Sequence, residues 1–103
     1  MLALVCATKG GAAQESRQNR VKDAIRLVWK HDAAKAISVA YCESRFSIWA
    51  RNGQYVGIFQ QGDWSRSTYY RPHEDGYFWG WWAQIRSAHR QFEHEGWTPW
   101  SCA

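Results

Sequence analysis

The sequence predicts an α+β fold, mainly α, with a small β-hairpin beside a cleft. Apolar residues recur at helical spacing over 18–30, 33–44 and 81–95. Asn52-Gly53 stands between two short segments and is the strongest short hairpin signal a chain can carry. The 103 residues, 46% hydrophobic and 21% charged, suit one domain with one modest core rather than a disordered chain.

The chain opens on a short apolar run followed by small residues, Met1 to Gln14, like the latter part of a secretory signal peptide but without a basic start. Residues 1–16 are therefore set aside as a flexible leader or signal remnant, and 17–103 are taken as the domain. The first helix, 18–30, turns Val21, Ala24, Ile25 and Val28 inward and keeps Lys22, Arg26 and Lys30 on other faces. Asp32 suits the N-cap of a second helix, Ala33 to Ser44. Ala33, Ala36, Ile37, Ala40 and Tyr41 form its inner stripe, and the alanines let a neighbouring helix approach closely.

Glu43 lies at the edge of that stripe, in the last turn. The partial negative charge of a helix C-terminus opposes ionisation there. Val39, Tyr41, Phe46 and Trp49 should exclude water, which acts in the same direction. A carboxylic acid kept protonated is what is needed to place a proton on a leaving oxygen. The plainer reading is a solvated helix-end glutamate.

Trp49 to Arg51 is expected to pair with Gln54 to Val56 across a type I′ turn at Asn52-Gly53. Gly57 would permit a sharp turn or a close approach to ligand. Gln60 and Gln61 offer amide donors and acceptors to hydroxyl and N-acetyl groups, or simply cap the next turn. Asp63 reads as an N-cap and is also the nearest carboxylate after Glu43, hence the candidate second catalytic carboxylate. Pro72, Gly76 and Gly80 punctuate 67–80 as a loop and cleft wall. His73, Glu74 and Asp75 are contiguous and do not converge on one metal. The last helix, Trp81 to Glu95, carries Trp81, Ile85, Ala88 and Phe92, ends at a left-handed Gly96, and is followed by a tail that folds back.

Eight Trp and five Tyr exceed what so small a core can absorb, leaving ring faces for sugars or bases. A net charge of +4 suits an anionic partner, nucleic acid or bacterial wall, without choosing between them. There is no basic arm of the kind that wraps DNA and no apolar run of membrane-spanning length. Three cysteines leave one odd. No P-loop, dinucleotide fingerprint or Ser-His-Asp arrangement stands out, and neither a metal nor a cofactor is expected.

Cys42-Glu43-Ser44, Tyr55-Val56-Gly57-Ile58-Phe59-Gln60 and Gly96-Trp97-Thr98-Pro99-Trp100-Ser101-Cys102, in that order, resemble the lysozyme-like superfamily. More narrowly, they are similar to actinobacterial transglycosylase-like domains related to resuscitation-promoting factors. The resemblance spans roughly 20–102 and implies a lysozyme-like fold. It makes Glu43 the catalytic acid and places Gln60 in the sugar cleft; Tyr55, Gln61 and Trp64 complete the candidate substrate-binding set. It also implies a Cys42–Cys102 disulfide, worth about 4 kcal/mol in the chain-entropy model and a mark of an oxidising compartment. Cys6 stays outside the domain. The alternative is free buried thiols. Where such families often have Asn-Pro soon after Glu-Ser, this chain has Ser47-Ile48 and departs from the pattern that supplies a sugar contact through that Asn.

The activity implied is cleavage of the β-1,4 bond between N-acetylmuramic acid and N-acetylglucosamine, by a lytic transglycosylase in preference to a hydrolytic muramidase. The partner would be peptidoglycan strands, met by a secreted or wall-associated monomer of bacterial or phage origin, with no membrane insertion. Two rivals remain: a non-catalytic wall-binding module of the same fold, and a basic, aromatic single-stranded nucleic-acid binder, against which the disulfide counts.

Overall fold

The computed structural model of the chain describes the backbone of residues 2–103 and the side chains from Ala13 onward. Helix α1 spans Leu2–Trp29, a 3-10 turn spans Lys30–Asp32, and α2 spans Ala33–Ser44. Strands β1 (Arg51–Asn52) and β2 (Tyr55–Val56) form an antiparallel pair; α3 (Asp63–Tyr69), α4 (Pro72–Asp75) and α5 (Trp81–Glu95) follow. The class is α+β and mainly helical. The expected first helix lies within α1 except for Lys30. Of the leader set at 1–16, Leu2–Ser16 belong to α1. Met1 and the side chains of residues 2–12, including Cys6, lie outside the described residues.

The helices close on an aromatic centre. Trp29 is 1% exposed, and its ring lies 5.2 Å from Phe59, 5.1 Å from Phe92, 5.7 Å from Trp97 and 6.3 Å from Trp100. Val21, Ala24 and Ile25 bury the rest of the α1 stripe, while Val28 packs at its margin, so the stripe is turned by one residue from the expected one. Small side chains at Ala33, Ala36 and Ala40 bring α2 against α1. Tyr41 is exposed and Val39 takes the inward place. Burial in this cluster pushes the His89 pKa down, against the pull of Glu93 and Asp32.

Helices α1 and α2 are separated by Lys30, a non-glycine residue at φ +53°. Asp32 occupies the N-cap position of α2 as expected, but its side chain caps nothing and lies 3.3 Å from His31 instead.

Residues 67–80 are not one loop. Tyr69 closes α3, and Pro72 stands at the start of α4, where its missing N–H costs nothing. The reason for this order is Asp75, whose carboxylate is fully buried. It accepts from the Arg71 amide at 3.0 Å, from Arg86 Nε at 3.0 Å and from both terminal nitrogens of Arg90 at 2.5 and 2.6 Å. Burial opposes its charge more than any other single effect. The hydrogen bonds from Arg90, the Arg71 amide and Arg86 together outweigh it and hold the pKa below the usual aspartate value. At the far end of α3, the Tyr69 hydroxyl donates to Glu95 Oε2 at 2.5 Å.

Helix α5 has the expected bounds and stops at Gly96, φ +66°, whose N–H returns to Phe92 O at 2.8 Å. The tail then folds back and buries Trp100, as expected.

Candidate active site

The last turn of α2 carries Cys42, Glu43 and Ser44, and all three side chains tie the turn to something distant or face such a tie. Cys42 is disulfide-bonded to Cys102, 60 residues on. Glu43 is half-buried, and its Oε2 accepts from the Cys102 backbone N–H at a long 3.4 Å. Ser44 Oγ donates to Ile58 O at 2.7 Å, fastening the helix end to the segment after the hairpin. The apolar wall expected around Glu43 is partial: Val39 and Phe46 are buried, whereas Tyr41 and Trp49 are exposed.

Directly after Ser44, two successive non-glycine residues take positive φ, Arg45 at +55° and Phe46 at +64°. A bulky residue there is a true outlier, costing of order 1–3 kcal/mol and persisting only where its surroundings force it. Phe46 is held by burial, by Tyr41 at 5.6 Å and by Lys22 Nζ over its ring at 5.7 Å. The strained turn reverses the chain beside Glu43 and sends it into the hairpin.

The hairpin is real but its register is not the expected one. Arg51 pairs with Val56 and Asn52 with Tyr55, which leaves Gly53 and Gln54 as the two central turn residues. Positive φ occurs at Gly53 (+63°) and not at Asn52, the pattern of a type II′ rather than a type I′ turn. The register is held by Gly57 N–H to Ala50 O at 2.8 Å and by Gln60 Nε2, which donates to Ala50 O at 3.1 Å and to Gly57 O at 3.0 Å.

Beyond it, backbone groups of residues 57–59 are anchored from three sides. Gln84, buried on α5, accepts from Ile58 N–H at 2.8 Å and donates to Ile48 O at 3.1 Å, bridging both arms of the loop. Trp100 Nε1 donates to Phe59 O at 2.8 Å. Ser44 takes the Ile58 carbonyl. Gly57, at φ +84°, is approached by Gln84 rather than by open space: a Cβ would stand 2.5 Å from Gln84 Oε1.

The expected substrate contacts divide. Tyr55 and Trp64 are exposed, 48% and 63%, and offer ring surface. Both amide hydrogens of Gln60 point at backbone carbonyls. Gln61 is 3% exposed and donates to Gln91 Oε1 at 3.0 Å, with Gln91 passing on to Ser65. Asp63 is not the N-cap of α3 but its first residue. Gly62 is the N-cap residue, and the side chain of Gln54 accepts from the Asp63 N–H at 3.0 Å. The Asp63 carboxylate is exposed and paired with Arg66, which also donates to Gln54 O and Gln61 O. Gln54, Arg66 and Gln84 escaped sequence reading because nothing local marks a polar side chain that will bond to a distant backbone. A groove of about 580 Å³ runs between α1 and residues 45–49, and none of the predicted site residues lines it.

Among the described residues, no three His, Cys, Asp or Glu side chains converge as a metal site, and no helix is long and apolar enough to cross a membrane. Compared with protein-family models, curated proteins and solved structures, the chain matches none.

Proposed function

We propose that this chain cleaves peptidoglycan strands at the β-1,4 bond between N-acetylmuramic acid and N-acetylglucosamine, with Glu43 as general acid and then general base. The observation that carries the reading is the position of Glu43: half-buried at the end of α2, next to a strained reversal, and flanked by ties to the tail and to residues 57–59. Backbone strain of this kind clusters at active sites, ligand clamps and switch regions, and here it adjoins a half-buried carboxyl group.

Glu43 would protonate the glycosidic oxygen as the bond to the anomeric carbon breaks. The 6-hydroxyl oxygen of the same muramyl residue then bonds to that carbon and yields its proton to the Glu43 carboxylate. The product is a 1,6-anhydro end, and Glu43 is returned as the acid. This single-carboxylate route is preferred to hydrolysis because Asp63 is engaged with Arg66 at the head of α3. The setting is extracytoplasmic, in keeping with the disulfide.

Digestion of purified walls by wild type and Glu43→Gln, with product masses recorded, tests this. The expected result is anhydro-muropeptides, lighter by one water, from wild type and none from the variant. Full-mass reducing ends mean hydrolysis, and equal digestion by both proteins removes Glu43 from the chemistry.

One observation favours the non-catalytic rival: the Gln60 amide hydrogens are committed to Ala50 and Gly57, and Gln61 is buried, which narrows the polar contacts open to a sugar. A wall-binding module predicts retention on walls with no products from either protein.

A further inference from the structure

Gln14, Arg17, Gln18 and Val21 follow one another at helical spacing on a single face of α1. Toward the C-terminus that stripe continues as Ala24 and Ile25 and enters the core. Toward the N-terminus it becomes polar and cationic, and it faces residues 45–49 and Trp81 across the 580 Å³ groove. Arg17, Arg20 and Arg45 supply the charge, and among the described residues no Asp or Glu lines the space. Among the described residues none of the three pairs with a carboxylate; Arg45 reaches only the Tyr41 hydroxyl, at 3.0 Å. Three arginines lining one groove without an internal counter-charge create a positive field that an anion relieves.

The groove also has flat walls. Trp49 is 64% exposed and Trp81 40% exposed. Trp49 stacks on Trp79 at 5.4 Å and 11°, so it is braced from behind while offering surface to the groove. A held aromatic ring in a groove that also carries arginines suits a sugar with a negative substituent.

We propose that this groove is a binding site, separate from Glu43, for an acidic glycan: a sugar unit bearing a carboxylate or a phosphate, its ring on Trp49 and its anion on Arg17 and Arg20. A glycan is favoured over a nucleic acid because the Cys42–Cys102 disulfide belongs to an oxidising compartment. Naming the glycan as a wall polymer rests on the proposed function; the chemistry of the site does not.

Titration of the whole chain, followed by tryptophan fluorescence, with a disaccharide of N-acetylglucosamine and N-acetylmuramic acid whose lactyl carboxylate is free, a 6-phosphorylated chito-oligosaccharide, a neutral chito-oligosaccharide and a single-stranded oligonucleotide tests the proposal. At least one acidic glycan should bind, with affinity falling steeply with salt. Arg17→Gln/Arg20→Gln should weaken it tenfold or more and leave the neutral oligosaccharide unaffected. Both arginines are exposed, and an unchanged melting temperature of the variant confirms that its fold is intact. Preference between the free-carboxylate disaccharide and the phosphorylated chito-oligosaccharide identifies the carboxylate or the phosphate as the anion. Wild-type affinity in the double variant, no binding of either acidic glycan, or tighter binding of the oligonucleotide than of both overturns the proposal. If wild type leaves walls uncut yet binds the acidic glycan through Arg17 and Arg20, the cleavage reading falls and the groove stands.

Discussion

Ser44 and Ile58 are joined by a hydrogen bond of 2.7 Å from the serine hydroxyl to the isoleucine carbonyl, across 14 residues of sequence. That one contact fastens the helix end carrying Glu43 to the segment that follows the hairpin. Ile58 is fully buried, so its carbonyl has no ready substitute in water. Ser44→Ala should therefore cost about 1–3 kcal/mol in urea unfolding. If the chain has the proposed cleavage activity and the junction positions Glu43, that activity per folded molecule should fall as well, and unchanged turnover would limit Ser44 to a structural role.

The disulfide acts on the same junction from the other side. Replacing Cys42 and Cys102 together by serine frees the tail whose amide meets Glu43. The expected loss is about 4 kcal/mol by the loop-entropy relation. Denaturant midpoints of the variant and of reduced wild type should agree; a midpoint equal to that of oxidised wild type would show that the bridge contributes nothing.

Gly57 is irreplaceable for two separate reasons, its φ of +84° and the 2.5 Å that a Cβ would leave to Gln84 Oε1. Gly57→Ala must shift Gln84 and disturb its bonds to Ile58 and Ile48. We expect destabilisation above 1 kcal/mol, whereas Gly53→Ala, strained in φ but with open space around it, should cost less. Equal losses would argue against the steric contribution.

Asp75 makes stability depend on acid. Its folded pKa lies below the unfolded value of 3.8, so the folded state binds its proton less readily. The stabilisation is present above 3.8 and disappears as pH falls through the lower folded value. Asp75→Asn should cost about 3 kcal/mol at neutral pH, the low end for breaking a buried pair, because Arg86 is still 37% exposed. Its melting temperature should then converge on that of wild type in acid. A constant gap between the two across the acid range would contradict the assignment.

Tyr69 makes the opposite case in alkali. Its hydrogen bond to Glu95, then burial, then the Glu95 charge raise its pKa from 10.0 to about 12. The folded state keeps the phenolic proton longer, so this contribution is complete below 10 and fades as pH rises through 12. The stability gap between wild type and Tyr69→Phe should narrow over that interval. Spectrophotometric titration should show one fewer late-ionising tyrosine in the variant than in wild type.

Part of this molecule was legible because it is written locally. The bounds of α2 and α5 follow from helical periodicity and from the signals at their ends, Gly96 above all. The existence of a hairpin near Asn52-Gly53 follows from turn chemistry. The Cys42–Cys102 bond was implied by motif resemblance, since three cysteines alone leave the pairing open.

What tertiary structure decided was every choice that local signals leave balanced. Asn52 and Gly53 fit a two-residue turn as well as Gly53 and Gln54 do; the bonds from Gly57 and Gln60 to Ala50 select the second register. Pro72 reads as a breaker until Asp75 finds Arg86 and Arg90 on α5, and then it begins a helix. Trp29 becomes the centre of the core only when Phe59, Phe92, Trp97 and Trp100 arrive from three other segments. Periodicity and capping depend on neighbours a few residues away. Register, burial of charge and the surroundings of Glu43 depend on partners brought together by chain folding.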